Sequence, residues 1–454
     1  MASADIDLST LPPGPTGPSA LVAMRFLLRG PHFLEQCRDR YGDVFTIRLN
    51  TGRTVVIAGD PAVAKEVFQA SPDDLYAGAG NVVLKPILGG RSVLLLDGAE
   101  HLRQRRLMLP PFHGERMRAY GETMTEVAER HIARWPVGQS FSVHPTMQAI
   151  TLEIILRTVF GIEDQAGVER LGAPMKRLLN STDQPMRLLL LQFTRSAGAK
   201  PRSPWGRVYA LMAPVDKLIH EEIAARRAED EPRNDILSLL LAARDEDGNA
   251  LTDAELRDEL MTLLLAGHET TATALAWTLE RLVRTPRVLA RLREEQEAGE
   301  GTEYLDAVVK EALRLRPVVP GVIRQLQRPL TIGGMELPKG VHISPSIYLI
   351  HRRPDVYPEP EAFRPERFLG EGAPSTYEWL PFGGSVRRCL GASFALYEMR
   401  IVLETILRRA TLETTTADAE PVKRRFVTYT PAQGGRVRVT RLMPAQPAAP
   451  AVAA

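Results

Sequence analysis

Cysteine is scarce. Cys37 and Cys389 are the two in a chain of 454 residues. That excludes a disulfide-stapled scaffold, and a chain this long can build a sizeable core without one. A single Cys37–Cys389 bridge could form, but a reducing compartment is the simpler reading. No C-x-x-C pair is present to serve as a dithiol. The sequence also lacks the roughly 18–20 consecutive apolar residues that span a bilayer. "ALVAMRFLL" is short and carries Arg25, and it has neither the basic start nor the cleavage site of a signal peptide. The formal net charge of +2 gives no argument for nucleic acid as a partner. A dinucleotide fingerprint is missing too: "GAGNVV" begins the glycine pattern but has Val83 where its last glycine belongs. "GHETTA" resembles the start of a zinc-protease helix, yet Ala272 stands where the second histidine would be needed. The expectation from these absences is a cytoplasmic protein with no membrane anchor and no built-in nicotinamide or flavin domain.

The composition is that of an ordinary globular protein, 44% hydrophobic and 25% charged. Length alone suggests about three domains. Residues 1–18 end in "LPPGPTGP", which must be extended or turning. Residues 443–454, "MPAQPAAPAVAA", are low-complexity and expected to be disordered. Between them runs no clear linker and no repeat. Helical patterns dominate. Short strand signals occur at "VFTIRL", "RTVVIAG", "TIGGMELPKGVHI" and "RRFVTYTPAQGGRVRVTRL", so the fold class is mainly α with small β-sheets.

One helix should be long. It opens at Thr252 with Glu255 in capping-box spacing and stops before Pro286. At 1.5 Å per residue it would be ~50 Å long, which crosses a whole domain and requires a buried middle. "LLLAG" suits that burial, but "HETT" follows at mid-helix. Polar groups there are costly unless satisfied or used. The threonine hydroxyls can bond back to carbonyls of the preceding turn, and with Gly267 the helix could bulge into a small groove beside Glu269. Elsewhere, "KEALRLRP" places Glu311 and Arg314 on one helix face, and "FRPERF" supplies Arg367. "HLRQRRLMLPPF" aligns His101 with Arg105 one turn apart, a possible clamp for a carboxylate. Each of these, alone, reads most simply as a solvated surface feature.

"FGGSVRRCLG" is different. Cys389 lies between arginines in a glycine-rich loop, just before an amphipathic helix, where free N–H groups and the helix dipole favour a thiolate. Such a sulfur could be a nucleophile, a redox thiol or a metal ligand. No histidine base lies close in sequence and there is no second cysteine. A single soft ligand in such a loop suits the axial position of heme iron.

These residues resemble the cytochrome P450 family. Its heme-binding pattern, Phe-x-x-Gly-x-Arg-x-Cys-x-Gly, is matched by Phe382, Arg387, Cys389 and Gly391, with Ser385 in place of a glycine. If that position needs a positive φ, serine carries modest strain. "AGHETT", "EALR", "FRPERF", "HLRQR" and "LPPGP" follow the family's motifs in order, so the resemblance covers about residues 11–440.

The resemblance implies a cytochrome P450 fold with the long central helix over a heme, in one heme-thiolate domain (residues 19–442) rather than three. It implies heme b (iron protoporphyrin IX) with Cys389 as iron ligand. His101, Arg105, Arg324 and Arg387 would hold its propionates, and Phe382 and Gly391 would sit beside it. Glu311, Arg314 and Arg367 would form a structural triad. The implied activity is that of a monooxygenase (a hydroxylase or epoxidase) using O2. Thr270 and Glu269 would manage protons, and Ala266 and Gly267 would leave room for oxygen. Leu263, Val319 and Val322 would face a lipophilic substrate such as a fatty acid or terpenoid, and Arg187 could hold a carboxylate. Electrons would come from a ferredoxin or flavodoxin with its NAD(P)H reductase. Arg103, Arg106, Arg116, Arg118 and Arg388 are candidates for its docking face. A monomer is expected. The rivals are a peroxide-driven peroxygenase and a heme-binding sensor without turnover.

Overall fold

The structure, a computed structural model, describes residues 10–49, 52–112, 116–181, 203–229, 233–299, 301–425 and 427–444. The proline-rich entry packs on the first strand: Thr46 N donates to the carbonyl of Pro13 at 3.0 Å. A Cβ on Gly14 would lie 1.9 Å from the Thr46 carbonyl oxygen, so only glycine lets the two backbones meet. Helices α1 (Ser19–Leu28) and α2 (Gly30–Tyr41) follow, then strands β1 (Val44–Arg48) and β2 (Thr54–Ala58). These strands are rich in β-branched residues and buried along most of their length. Helix α3 (Pro61–Gln69) is capped by Asp60, whose carboxylate accepts from the amides of Ala62 and Val63, and a two-residue strand β3 (Leu75–Tyr76) closes this part.

The helical body then runs through α4 (Gly98–Met108), α5 (Arg116–Ile132), β4 (Ser140–Ser142), α6 (His144–Phe160), α7 (Gln165–Ser181), α8 (Pro204–Arg227) and α9 (Ile236–Ala242). Next come α10 (Asp253–Val283), α11 (Pro286–Ala298) and α12 (Glu303–Leu315). Strands β5 (Arg324–Leu326), β6 (Leu330–Ile332), β7 (Met335–Leu337) and β8 (His342–Pro345) precede α13 (Ala392–Arg409). The chain ends with β9 (Ala410–Thr414), β10 (Val422–Arg425), β11 (Thr428–Pro431) and β12 (Arg436–Leu442). One sheet has the order β1-β2-β8-β5-β3, with β2 and β8 parallel and its other pairs antiparallel. The sheet β4-β12-β9 and the hairpins β6-β7 and β10-β11 complete the set. Met443 is still tied to the body, its amide donating to Arg409 O at 2.8 Å. From residue 445 on, the expected tail lies outside the described residues.

α10 is the axis of the molecule. Thr252 and Glu255 form the expected reciprocal cap, and the helix is continuous over 31 residues. The expected bulge at Gly267 is absent; Thr270 Oγ1 instead donates to the Ala266 carbonyl at 2.6 Å inside an unbroken helix. Every residue from Thr271 to Val283 is buried, which a helix achieves only when neighbours wrap it on all sides. The neighbours include α6, α12, α13 and β11. The reading of 'GHETTA' as a place where oxygen finds room at Gly267 also changes. A Cβ there would lie 2.4 Å from Ile155 Cδ1 of α6, so the glycine serves the packing of α10 on α6.

Candidate active site

The middle of α10 carries an accessible stripe. Leu263, Ala266, Gly267 and Thr270 are exposed or half-buried, while Leu264, His268 and Glu269 are buried. Positions 263, 266, 267 and 270 share one helix face. Ala266 is thus exposed near the midpoint of a helix whose second half is wholly buried. Thr270 gives its hydroxyl proton to Ala266 O, which leaves its lone pairs free to accept from a group on that face.

Glu269 points elsewhere. It accepts from Gln148 Nε2 at 2.7 Å, lies 3.0 Å from Arg425 Nη1 and 3.5 Å from His144 Nε2. Burial works against its charge, but the hydrogen bond from His144 and the charge of Arg425 win and hold it down at about 2. The proton relay expected at Glu269 is therefore an ion-paired carboxylate in this arrangement, turned from the face that carries Thr270. The next residue, Thr271, faces Glu398 of α13. That carboxyl is fully buried, neither oxygen has a well-aligned hydrogen bond, and burial pushes it well above the ordinary range despite the Thr271 hydroxyl.

The cysteine loop is built by sharp backbone turns. Gly383 has φ 66° and Ser385 has φ 60°, so the serine occupies a left-handed position that favours glycine. Cys389 N donates to Phe382 O at 2.9 Å, closing the loop. Phe382 packs edge-on against Trp379, 6.1 Å between ring centroids, and Gly391 is the N-cap of α13. Cys389 is exposed by surface area, but protein encloses it on most sides. That burial pushes the thiol up, opposed by the Gly391 amide and by Arg105 and Arg388. The positive charges favour the thiolate, as expected, but burial outweighs them; a metal ion would complete the deprotonation. Cys37 is buried and apart, so the two cysteines are free.

Three separated segments, helix α4, strand β5 and the cysteine loop itself, bring together His101, Arg105, Arg324 and Arg387. Burial and the charges of Arg387, Arg105 and Arg324, in that order, press His101 down to about 3. Burial first, then the charge of a neighbouring arginine, lowers Arg324 and Arg387 to about 10. The acid acting on this group is Asp97, 2.6 Å from Arg387 Nη2. Arg387 also donates to the carbonyls of Val93 and Leu96, and Arg105 to that of Arg388. Three guanidinium groups against one carboxylate leave an excess of positive charge, which fits a dianion such as a pair of propionates. With an exposed cysteine in the adjoining loop, these residues fit heme. Among the described residues, no cluster of His, Cys, Asp and Glu could hold a metal ion alone.

Glu311, Arg314 and Arg367 also assemble as expected. Arg314 forks onto Glu311 at 2.6 and 2.9 Å, and both side chains are fully buried. The carbonyls of His351, Pro360 and Ala362 take the remaining donors. The amide of Arg364 donates to Glu311, and Arg367 Nε lies 3.5 Å from it.

Other expectations do not meet. Arg103 is engaged by Asp245 and Glu255 at 2.6 and 3.1 Å, which spends its charge, while Arg106 makes a surface pair with the exposed Glu246. Arg118 and Arg388 are exposed; no description covers the Arg116 side chain. Val319, Val322 and Leu263 are half-buried, and Val322 Cγ1 lies 3.7 Å from where a Cβ on Gly383 would sit, beside the cysteine loop. Arg187 lies outside the described residues. "YTPAQGG" packs on the second half of α10, with Trp277 Nε1 donating to Tyr429 O at 2.9 Å. Asp97, Gln148, Arg425 and Glu398 went unnoticed in the sequence, because no local pattern marks them. Glu259 was missed too. It accepts from Val93 N and Gln104 Nε2, is raised by burial to about 8, and ties the segment that holds Arg387 to α10.

The family model described as cytochrome P450 matches residues 12–437. A Mycobacterium tuberculosis protein provisionally named cytochrome P450 135B1 is 44% identical over 437 residues, covering 94% of this chain and 91% of its own length. A second, provisionally named cytochrome P450 138, is 40% identical over 442 residues, covering 95% and 96%. Among solved structures, a cyanobacterial cytochrome P450 with retinoic acid bound superposes with TM-score 0.84 at 25% identity, over 95% of this chain and 99% of its own. A cytochrome P450 heme domain gives TM-score 0.83 at 25% identity, covering 96% and 98%.

Proposed function

The chain belongs to the cytochrome P450 family, a heme-thiolate monooxygenase by that membership, and we propose that it hydroxylates or epoxidises a lipophilic small molecule with electrons from separate redox proteins. The observation that carries the reading is the cluster of His101, Arg105, Arg324 and Arg387, whose positive excess stands beside the exposed Cys389. In this proposal Cys389 ligates the iron, the cluster binds the propionates, and residues 19–442 form one heme domain. Bound heme supplies O2 binding and the insertion of one oxygen atom into substrate, the other leaving as water.

The protein's own part is to steer protons and exclude water. Thr270 Oγ1, its proton committed to Ala266 O, accepts a hydrogen bond from a protonated group on the exposed face of α10. Glu269 carries protons only by turning out of its pairing with Arg425, because a carboxylate held near 2 is ionised at neutral pH. Leu263, Val319 and Val322 give the substrate side an apolar wall, so shape orients the substrate. The cyanobacterial neighbour's retinoic acid supports a lipophilic ligand and keeps a fatty acid in view.

With no dinucleotide fingerprint in the chain, reducing equivalents arrive from a ferredoxin or flavodoxin and its NAD(P)H reductase. Arg118 and Arg388 remain candidates for that contact. We read the protein as a cytoplasmic monomer. Spin-state shifts across a panel of fatty acids, terpenoids and steroids test the substrate class. Turnover is then run with ferredoxin and reductase, and separately with hydrogen peroxide. Product in the first arm supports the monooxygenase reading. Product in the second arm alone favours the peroxygenase, and ligand-induced shifts with product in neither favour the sensor.

A further inference from the structure

α1 carries an apolar stripe that the protein does not cover. Its inner face is spent: Val22 and Ala23 are buried, and Val22 joins Phe33, Phe45 and Tyr429 in an apolar cluster. Its outer face presents Leu21, Met24 and Leu28, exposed by 51%, 41% and 65%. The spacing i, i+3, i+7 sets them on one line. Among the described residues, six large apolar side chains are this exposed, and three of them are on this one helix. A fourth, Val427, is in the turn of the β10–β11 hairpin. That hairpin lies against the same helix, with the Arg424 guanidinium 4.9 Å from the Phe26 ring centroid and Val422 packed on the α1 cluster.

Among the described residues, the charges on the helix and at the border of its stripe are positive. α1 contains no acidic residue. Arg25 and Arg29 are exposed at its border and line a shallow groove with Phe33 and Gln36, and Lys423 is exposed on the hairpin. On the next helix, Glu35 accepts from the Tyr348 hydroxyl and keeps its charge, and Asp39 lies 3.4 Å from Arg38. An apolar line edged by arginine is the pattern of a helix that lies in a lipid interface. Ten residues rise only ~15 Å, half the hydrocarbon thickness, so this helix can lie on a bilayer but not cross it. Among the described residues no helix is long and apolar enough to cross one.

We propose that the outer face of α1, with the β10–β11 turn beside it, docks the protein on an anionic lipid surface. The inference stands apart from the catalytic proposal, since no residue of this face belongs to the site. Docking there would hold the protein where lipophilic compounds are most concentrated.

The test is cosedimentation of the heme-loaded full chain with vesicles of phosphatidylcholine mixed with phosphatidylglycerol, and with vesicles of phosphatidylcholine alone. The wild type should pellet with the mixed vesicles, less with the neutral ones, and less again at high salt. Leu21→Ser with Leu28→Ser should weaken both by about tenfold or more. Arg25→Gln with Arg29→Gln should weaken only the anionic arm, by about fivefold per arginine. Both variants should keep the wild-type carbon monoxide spectrum. No pelleting by the wild type, or unchanged pelleting of the leucine variant, overturns the proposal. So does a concentration-dependent dimer that the leucine variant abolishes without vesicle binding, which would make the face a contact between two copies. A fall in melting temperature of the leucine variant without vesicle binding by the wild type overturns it too, since the chain's own first nine residues would then be the cover.

Discussion

The triad around Glu311 and the cluster around His101 both take charged side chains out of water, and they settle the cost in opposite ways. At Glu311 the fully buried pair with Arg314 is matched internally, and Arg367 stands at its edge with a bond to the Glu359 carbonyl. Arg314 has a bidentate carboxylate and three carbonyls, and Glu311 has a guanidinium and a backbone amide. At His101 the cations outnumber the acid, and burial and repulsion lower every cation named there. The first group holds the fold together without help. The second is finished only by an anion from outside. Buried charge is thus a mark of structure where it is matched and of binding where it is not.

The comparison breaks hardest at Arg314. Arg314→Ala strands Glu311 in the interior and should destabilise the protein by about 3–5 kcal/mol, read as a lost or strongly shifted urea transition in the apoprotein. Arg105→Ala should leave apoprotein stability nearly unchanged, or raise it, and Arg387→Ala should lower it less than Arg314→Ala, because Asp97 keeps the Gly78 and Ala79 amides; in both, heme affinity falls about 10- to 100-fold, as expected for one charge-assisted hydrogen bond. Heme with both propionates esterified should bind the wild type weakly and be indifferent to these variants. If Arg387→Ala unfolds the protein as Arg314→Ala does, the two clusters are not different in kind.

A finer probe uses the two histidines. His101 and His351 are both pushed down to about 3, His351 by burial and then the charge of Arg314. In each case the unfolded chain binds a proton the folded one refuses. Each therefore contributes stability above about pH 6.5 that is lost as pH falls toward 3. Heme carboxylates beside His101 would favour its protonated form, so its share of the acid loss should shrink in the holoprotein. The share of His351, whose Nε2 accepts from Leu380 N at 2.8 Å, should not change. Urea midpoints against pH for His101→Gln and His351→Gln, with and without heme, separate the two.

The smallest effect concerns backbone strain. Each region has one non-glycine residue at positive φ, Ser385 at 60° in the cysteine loop and Glu359 at 53° beside Arg367. Ser385→Gly should stabilise by up to about 1 kcal/mol, the relieved strain being partly offset by glycine's entropy. Glu359→Gly should gain less, because it also gives up the ion pair with Arg364. Equal melting shifts would mean that the exposed pair contributes nothing.

The sequence was most legible where the chemistry is local. The capping box of α10, the Glu311–Arg314 spacing, the His101–Arg105 turn and the cysteine loop each lie within a few residues, so their geometry follows from helix and turn periodicity. Even the strain at Ser385 could be anticipated, because a glycine position was filled by serine. What failed depended on partners far away along the chain. Arg103 looks free until Asp245 is folded against it, and Glu269 looks like a relay until Arg425 arrives. Gly267 looked like space for a ligand, but the direction its Cβ would take is filled by Ile155. Glu398 carries no signal in sequence, since its burial is a property of the neighbours of α13.

The account rests on the sulfur of Cys389 as the ligand that meets iron. The direct measurement is the absorption of the reduced, carbon-monoxide-bound protein, wild type beside Cys389→Ser. The wild type should show the strongly red-shifted Soret band of thiolate ligation, and the serine variant should lose that shift. A serine variant that keeps the red-shifted band, or a wild type that never shows it, would contradict the account.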